Sequence, residues 1–482
     1  MTQPLQTWHD LAVRGGVLVD GSGAARRLAD VLVTGGRISG VVPPGEGQAR
    51  DTLEVRGKVV CPGFIDTHSH DDQWVLQAGQ SQPKLSQGVC TVVTGNCGIS
   101  LAPLVSDAPP APLDLMGTQA FRYPRFTDYL AALDAAPLPT NVAPLIGHIT
   151  LRVHHVRDLQ RSATPSETQA MQADVRDAMA AGAFGLSTGV YYPPARAATT
   201  EELMGVAEGL RGRGAVLACH LRDEGDHIDA ALREAFAVAR HSGATLVLSH
   251  HKVVGAQNHG RTRETLRAVD EAAQQQPVCL DCYPYDASST MLDPDKAART
   301  PEVLLTWSRP HPEHSGRPLR TIAREWGVDV AQAARRLMPG GAIYFSMAEE
   351  DVQRVLSHPL CMIGSDGLPH DSQPHPRLWG SFARVLGHYS RDLGLMPLEL
   401  AVHKMTGLPA SRFGLADRGL VREGMAADLV VFDAGTVRDA ATYADPTAPA
   451  RGIDTVLLNG ELAVSHGVTR PARSGQRLTR VA

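Results

Sequence analysis

Two histidines spaced two apart, His68 and His70, follow a short apolar run, Gly63-Phe64-Ile65, and a carboxylate, Asp66; Asp71 and Asp72 come directly after them. In extended backbone, side chains two apart lie on one face, so His68 and His70 point the same way and Asp66 shares that face. Two imidazoles and a carboxylate converging at a strand end are what a divalent metal needs. The chemistry in prospect is metal-assisted hydrolysis. The pair does not decide the matter alone, because H-x-H also arises by chance in a chain with 20 histidines.

The elements that must hold such a site alternate along the middle of the chain. Strand candidates are Gly63–Ile65, Thr91–Thr94, Val142–Ile146, Ala183–Leu186, Ala215–Ala218, Thr245–Leu248, Val278–Asp281 and Met362–Gly364. Amphipathic runs such as Glu167–Ala180 and Thr200–Arg211 lie between several of them, and Thr199 with Glu202 three residues on reads as a capping box. Eight strands alternating with helices predict an α/β fold of the parallel (β/α)8 TIM-barrel type. A doubly wound sheet is the runner-up, but no G-x-G-x-x-G turn follows the first strand. Just beyond the strands stand His68 and His70, Cys97, His148, Ser187, His220, His250, Tyr283 and Asp366. In a barrel these C-terminal strand ends form one rim, where catalytic groups collect.

Short strands broken by glycine turns fill residues 11–60 and return near Ala427–Phe432 and Thr455–Gly460. This texture predicts a small β-sandwich domain built from both chain ends, residues 1–61 and 415–482. The catalytic barrel then spans 62–414. An insertion at about 286–345, between the last two barrel strands, is a natural active-site cover.

A net charge of -5 and a pI near 6.5 argue against a nucleic-acid or anionic-membrane surface. The segment Met1–Trp8 has neither a basic start nor an apolar core, and no apolar run reaches membrane-spanning length. Seven scattered cysteines fit a reducing compartment better than a disulfide framework, so a cytoplasmic location is expected. The expected partner is a small-molecule substrate. The oligomeric state is left open.

The motifs Gly63-Phe64-Ile65-Asp66-x-His68-x-His70-Asp71-Asp72, Thr94-Gly95-Asn96-Cys97-Gly98, Arg222-Asp223-Glu224-Gly225, Ser249-His250-His251-Lys252, Gly364-Ser365-Asp366-Gly367 and His375-Pro376-Arg377 are individually modest and jointly specific. Over essentially its full length the chain resembles the amidohydrolase superfamily and, within it, the N-acyl-D-amino-acid deacylases. A hydantoinase or dihydroorotase would bring a carboxylated lysine as bridging ligand; this chain offers Cys97 in a glycine-bracketed, exposed loop. Zinc favours nitrogen and sulfur ligands in tetrahedral sets, so Cys97, His220 and His250 with one open position make a catalytic site, and a thiolate disfavours magnesium and calcium.

The resemblance implies that Cys97, His220 and His250 hold one tight zinc, with His68 and His70 at a second, weaker position. His251 faces the other way from His250 and is not expected to ligate. Zinc acidifies water to a pKa of about 7, and Asp366 is the expected proton shuttle between that water and the departing amine. Lys252, Tyr283 and Arg377 form the implied clamp for the substrate α-carboxylate, and Tyr192 lies by the acyl carbonyl. An apolar side-chain pocket is implied at Tyr191, Ala298, Tyr344 and Met347; Tyr191 adds a hydroxyl to that pattern and Ala298 removes bulk. Asp293, Asp295 and Lys296 give no clean arginine for a side-chain carboxylate, so neutral hydrophobic D-residues are the expected substrates. Alternatives are a D-glutamate or D-aspartate deacylase, a cyclic amide or dipeptide hydrolase, and an inactive scaffold. A scaffold should have lost ligands or the shuttle, and none is missing.

Overall fold

The computed structural model describes residues 8–77, 82–117, 119–471 and 473–480. It shows a mixed α/β molecule with several sheets. The eight strands expected in the middle of the chain are present as β1 (Phe64–Asp66), β2 (Val89–Thr94), β3 (Asn141–Pro144, resuming at Ile146–Gly147), β4 (Gly185–Gly189), β5 (Val216–His220), β6 (Thr245–Leu248), β7 (Val278–Cys282) and β8 (Cys361–Ile363). All their pairings are parallel and follow chain order: β1, β2 and the first part of β3 in one sheet, and the second part of β3 through β8 in another. Beyond the strand ends, a parallel bridge joins Ser69 to Gly367, and the Thr67 amide donates to the Ile363 carbonyl at 3.4 Å.

The composition of these strands follows from burial on both faces. All of β2, Val-Cys-Thr-Val-Val-Thr, is buried, which is why it reads as an unbroken apolar run rather than an alternating one. Each valine so buried contributes about 1.5–3 kcal/mol relative to exposure. The helices cover the sheets with one stripe: Ile228–Ser242 buries Ile228, Ala231, Leu232, Ala235, Val238 and Ala239 and ends at Gly243, φ 70°.

Two details differ from the expectations. Strand β4 begins at Gly185 rather than Ala183, because the Ala183 amide closes the preceding helix on the Ala178 carbonyl; Ser187 therefore sits inside the strand. At the helix Thr200–Ala207 the capping box is only half made. The Glu202 amide donates to Thr199 Oγ1 at 3.2 Å, but the Glu202 carboxylate turns inward to Arg152, His148 and the Ala163 amide. A reciprocal box forms instead at Thr164 and Glu167.

Near the N-terminus, Arg37–Val42, Asp30–Thr34, Trp8–Arg14 and Gln48–Glu54 make a four-stranded sheet in that order. Gln48–Glu54 escapes a hydrophobic-pattern reading because it is polar and mostly exposed. In a seven-stranded sheet, Val59–Pro62 pairs antiparallel with Leu429–Phe432, so strands from both ends of the chain are neighbours. Val13, Leu18, Val31 and Val33 share one apolar cluster with Val421, Leu429 and Val431. Between β7 and β8, Ala287–Met291, Glu302–Ser308 and Gly340–Phe345 form a three-stranded antiparallel sheet over a cluster of their own. Among the described residues no helix is long and apolar enough to cross a membrane.

Candidate metal centre

Each candidate ligand leaves a strand end in a conformation held by its neighbours. Cys97 follows β2 in the turn Gly95-Asn96-Cys97-Gly98, with φ of 79°, 54° and 78° at Gly95, Cys97 and Gly98. A Cβ at Gly95 would lie 2.1 Å from the Leu145 carbonyl oxygen, so the backbone approach there excludes any side chain. Ser187 of β4 clasps the turn: its hydroxyl donates to the Gly95 carbonyl and accepts the Gly98 amide at 2.9 Å. His220 is the last residue of β5. His250 and Asp366, beyond β6 and β8, also adopt positive φ, 37° and 49°. Non-glycine residues in that region are strained, and three at one site mark a place where geometry is held against local preference.

The strand ends bring six side chains together. Cys97 Sγ lies 3.2 Å from His68 Nε2, 3.5 Å from His220 Nδ1 and 3.4 Å from His250 Nε2. His220 Nδ1 and His250 Nε2 are 2.9 Å apart, and Asp366 Oδ1 is 3.2 Å from His70 Nε2 and 3.5 Å from His68 Nε2. The donors form two overlapping groups, Cys97 with His220 and His250, and Cys97 with His68, His70 and Asp366. Cys97 belongs to both, and it is buried rather than exposed as its glycine-rich turn suggested. Facing ring nitrogens at hydrogen-bond distance around a thiol match a cation that takes nitrogen and sulfur, as zinc does. Glu224 Oε1 lies 3.1 Å and Lys252 Nζ 2.8 Å from His250 Nδ1, so these two side chains hold that edge of the ring and Nε2 faces Cys97.

Other strand-end residues serve elsewhere. Asp66 does not join either group; its oxygens take Lys84, Ser365 and the His68 amide. His148 packs against Glu202, and His251 Nε2 bonds Thr265 Oγ1 at 2.9 Å.

Charge at the centre is set by close partners. Burial alone would raise the Cys97 thiol, but the imidazoles of His68 and His250 outweigh it and hold the thiol well below its ordinary value. Burial likewise works against an ionised Asp366, yet the Arg377 guanidinium, 2.9 Å from Oδ2, and the nearby imidazoles keep it well below the usual carboxylate range. Glu224 is ionised for the same kind of reason: Lys252 Nζ sits 2.6 Å away and outweighs desolvation.

A pocket opens over the centre. His70, His220, His250 and Asp366 form its floor, and Tyr191, Tyr192, Lys252, Ser288, Ser289, Thr290 and Lys296 are among its walls. Tyr283, Arg377, Tyr344, Met347 and Ala298 do not line it. Arg377 is buried against Asp366 and the Ser289 carbonyl, with its guanidinium 4.5 Å from the Tyr283 ring centre. The Tyr283 hydroxyl meets Met347 Sδ at 3.8 Å. Tyr344 lies in the core of the inserted sheet, its hydroxyl donating to the Met291 carbonyl and accepting the Asp293 amide. Ala298 is exposed.

Three residues with evident work at the site were not singled out by pattern. Glu224, inside the Arg222–Gly225 motif, supports both His250 and Lys252. Asp281, at the end of β7, accepts the His250 amide at 2.7 Å and lies 3.4 Å from His68 Nδ1. Lys296 reaches the cavity wall with Nζ 4.4 Å from the Tyr344 ring centre and 5.7 Å from that of Tyr191, and burial lowers its pKa to about 8. It forms no ion pair with any described residue.

The model of the amidohydrolase family matches residues 51–258 and 229–464. The chain is 52% identical over 483 residues to a D-aminoacylase of Alcaligenes xylosoxydans xylosoxydans, covering 100% of both chains. It is 48% identical to an N-acyl-D-aspartate deacylase of the same organism, over 97% of this chain and 95% of that one. A solved D-aminoacylase with a binuclear metal centre matches at TM-score 0.96 and 53% identity, over 98% of this chain and 100% of that one. A solved N-acyl-D-glutamate deacylase from Bordetella bronchiseptica, complexed with zinc and a phosphonate mimic of the tetrahedral intermediate, matches at TM-score 0.94 and 46% identity, with the same coverage.

Proposed function

The chain belongs to the amidohydrolase family, and on that basis we propose that it hydrolyses N-acyl-D-amino acids with zinc, releasing a carboxylate and the free D-amino acid. The observation that carries this reading is the shared thiol: Cys97 Sγ within 3.5 Å of ring nitrogens of His68, His220 and His250, beside an ionised Asp366, at the floor of a pocket. The D-specific names of the full-length relatives support the stereochemistry.

In this reading Cys97, His220 and His250 would hold the tight metal, and His68 and His70, grouped with Cys97 and Asp366, would serve a weaker second position. When bound, zinc supplies Lewis acidity, polarising the amide carbonyl and acidifying water. Asp366 Oδ1 faces the cavity as a carboxylate and is the group that takes a proton from the attacking water and returns it to the amine nitrogen as the C–N bond breaks. Arg377 holds Asp366 ionised from behind, and Tyr283 stacks on Arg377, so both act one layer from the substrate. Lys252 is the clamp member at the cavity surface and meets the α-carboxylate; Tyr192, its hydroxyl 3.0 Å from Thr290 Oγ1, flanks the acyl group.

The scaffold reading is a (β/α)8 barrel of residues 62–414, carrying the insertion at about 286–345, with a small β-sandwich domain from residues 1–61 and 415–482. Its support is the chain-order parallel pairing, the passage from one sheet to the next within Pro144–Ile146, and the Ser69–Gly367 bridge. The small domain is supported by the Val59–Pro62 pairing with Leu429–Phe432. Seven buried, unpaired cysteines support a cytoplasmic setting.

The side-chain preference has two readings. Tyr191 on the pocket wall supports neutral hydrophobic D-residues. Lys296, a half-buried cation on the pocket wall with no carboxylate partner among the described residues, favours D-aspartate or D-glutamate instead, since a partly desolvated cation gains from an anionic ligand group. One panel tests both: zinc-loaded protein with the N-acetyl D and L forms of methionine, leucine, aspartate and glutamate. We expect turnover of D forms only; preference for L forms, or turnover of a hydantoin with none of the panel, overturns the proposed function.

A further inference from the structure

We propose that Lys84 is a positioning residue that locks the His68–His70 ligand arm to the Asp366 turn. These two parts of the site meet where β8 comes back to β1, and there the backbone ladder is short: the Ser69–Gly367 bridge, the Asp366 amide on the His68 carbonyl, and one long hydrogen bond from Thr67 to Ile363. Side chains reinforce the join. Asp66 Oδ1 accepts one amide from each side, His68 at 3.2 Å and Ser365 at 2.8 Å. Asp66 Oδ2 accepts the Ser365 hydroxyl at 2.6 Å and Lys84 Nζ at 2.7 Å. The Asp366 amide donates to the His68 carbonyl at 2.7 Å, and the Gly367 amide to Ser365 Oγ at 3.2 Å.

Lys84 is the one cation in this knot. Its ammonium donates to Asp66 Oδ2 and, at 2.8 Å, to Ser365 Oγ, and forms an ion pair with Asp71 Oδ2 at 3.0 Å. Every member is buried, so the polar atoms that meet at Lys84 Nζ have no water to replace it. Without Lys84, Asp66 Oδ2 and Ser365 Oγ each lose a donor, which loosens the turn that sets Asp366 at φ 49° with its carboxylate beside His70. The distance between the second metal position and the proton carrier thus depends on a residue that touches neither.

The part of this inference that concerns turnover rests on the deacylase reading; its metal readout does not. The test pairs Lys84→Met/Asp71→Asn, which removes the cation together with one of its two carboxylates, with Ser365→Ala, which leaves both charges in place and cuts the link to the turn. Zinc titrations and steady-state kinetics on N-acetyl-D-amino acids are compared with wild type. Supporting contacts to metal ligands are worth about 10–100-fold in affinity or activity. In both variants we expect binding of the first zinc equivalent to hold, the second to weaken by about tenfold or more, and kcat at one equivalent to fall by a similar factor with KM little changed. A folded variant of either kind with wild-type kcat and wild-type affinity for the second equivalent overturns the inference. Loss of kcat and KM together with the first zinc would mean general collapse of the centre, and would also overturn it. If wild type turns over no N-acetyl-D-amino acid, the deacylase reading fails, and the second-equivalent titration still decides the role of Lys84.

Discussion

Replacing Glu224 by glutamine removes one charge from a buried chain of three groups. Glu224 Oε1 lies 2.6 Å from Lys252 Nζ and 3.1 Å from His250 Nδ1, and Lys252 Nζ is itself 2.8 Å from that ring nitrogen. Deleting one partner of a buried ion pair costs about 3–5 kcal/mol; because the amide oxygen still accepts from Lys252, the lower end, about 3 kcal/mol, is the expectation. The second consequence is chemical. Glu224 holds the Nδ1 edge of His250 and so turns Nε2 toward Cys97, and losing such a support weakens metal affinity by about 10–100-fold, or about 1.4–2.7 kcal/mol. The two effects separate in the double variant Glu224→Gln/Lys252→Met, which removes the orphaned cation. Thermal denaturation should then recover much of its loss, while competition with a chromophoric chelator should still report weakened binding of the first zinc. If Glu224→Gln binds that zinc with wild-type affinity, or if the double variant restores affinity along with stability, Glu224 is merely a counter-ion for Lys252 and its proposed hold on His250 is wrong.

Lys296→Met should lower kcat/KM for N-acetyl-D-aspartate and D-glutamate by about 10–150-fold, since a charge-assisted hydrogen bond contributes about 1.5–3 kcal/mol, and leave or improve N-acetyl-D-methionine; equal effects on both classes refute the acidic reading. For wild type, the advantage of acidic substrates should fade as pH rises through about 8, where Lys296 loses its proton. Glu202 is pushed down to about 2: burial opposes ionisation, but His148 and Arg152 outweigh it. A depressed carboxyl stabilises the fold fully above its ordinary value of 4.5, and the contribution is lost as pH falls toward about 2. Glu202→Gln should therefore flatten that acid limb in pH-dependent melting, and an unchanged limb would count against the assignment. Finally, chelation should abolish activity and one equivalent of zinc restore it; Cys97→Ala should lose the tight metal and His68→Asn should keep it, and the reverse order by metal analysis would invert the ranking of the two positions.

Much of the centre is legible in the sequence because its signals are local. The spacing of His68 and His70, the glycines around Cys97 and the histidines ending apolar runs depend only on strand geometry and turn stereochemistry, and the same period-two logic excludes His251. Strand order along the middle of the chain is legible for a related reason, since strands buried on both faces must be continuously apolar. Polar edge strands such as Gln48–Glu54 leave no such trace.

What the sequence by itself determined is which residue types stand at the strand ends, and hence that nitrogen, sulfur and carboxylate donors are available there. Only the tertiary structure decided how they are shared. Cys97 belongs to both donor groups, Asp66 joins Lys84 and Ser365 instead of a metal, Arg377 turns from the cavity to Asp366, and Lys296 turns into it. Each outcome depends on side-chain direction and on partners far off in sequence: Asp66 meets Ser365, Cys97 meets His250, and Glu202 leaves its own helix cap for Arg152. Local spacing says where a side chain starts. Desolvation and the need to pair every buried charge decide where it ends, and those are properties of the packed chain.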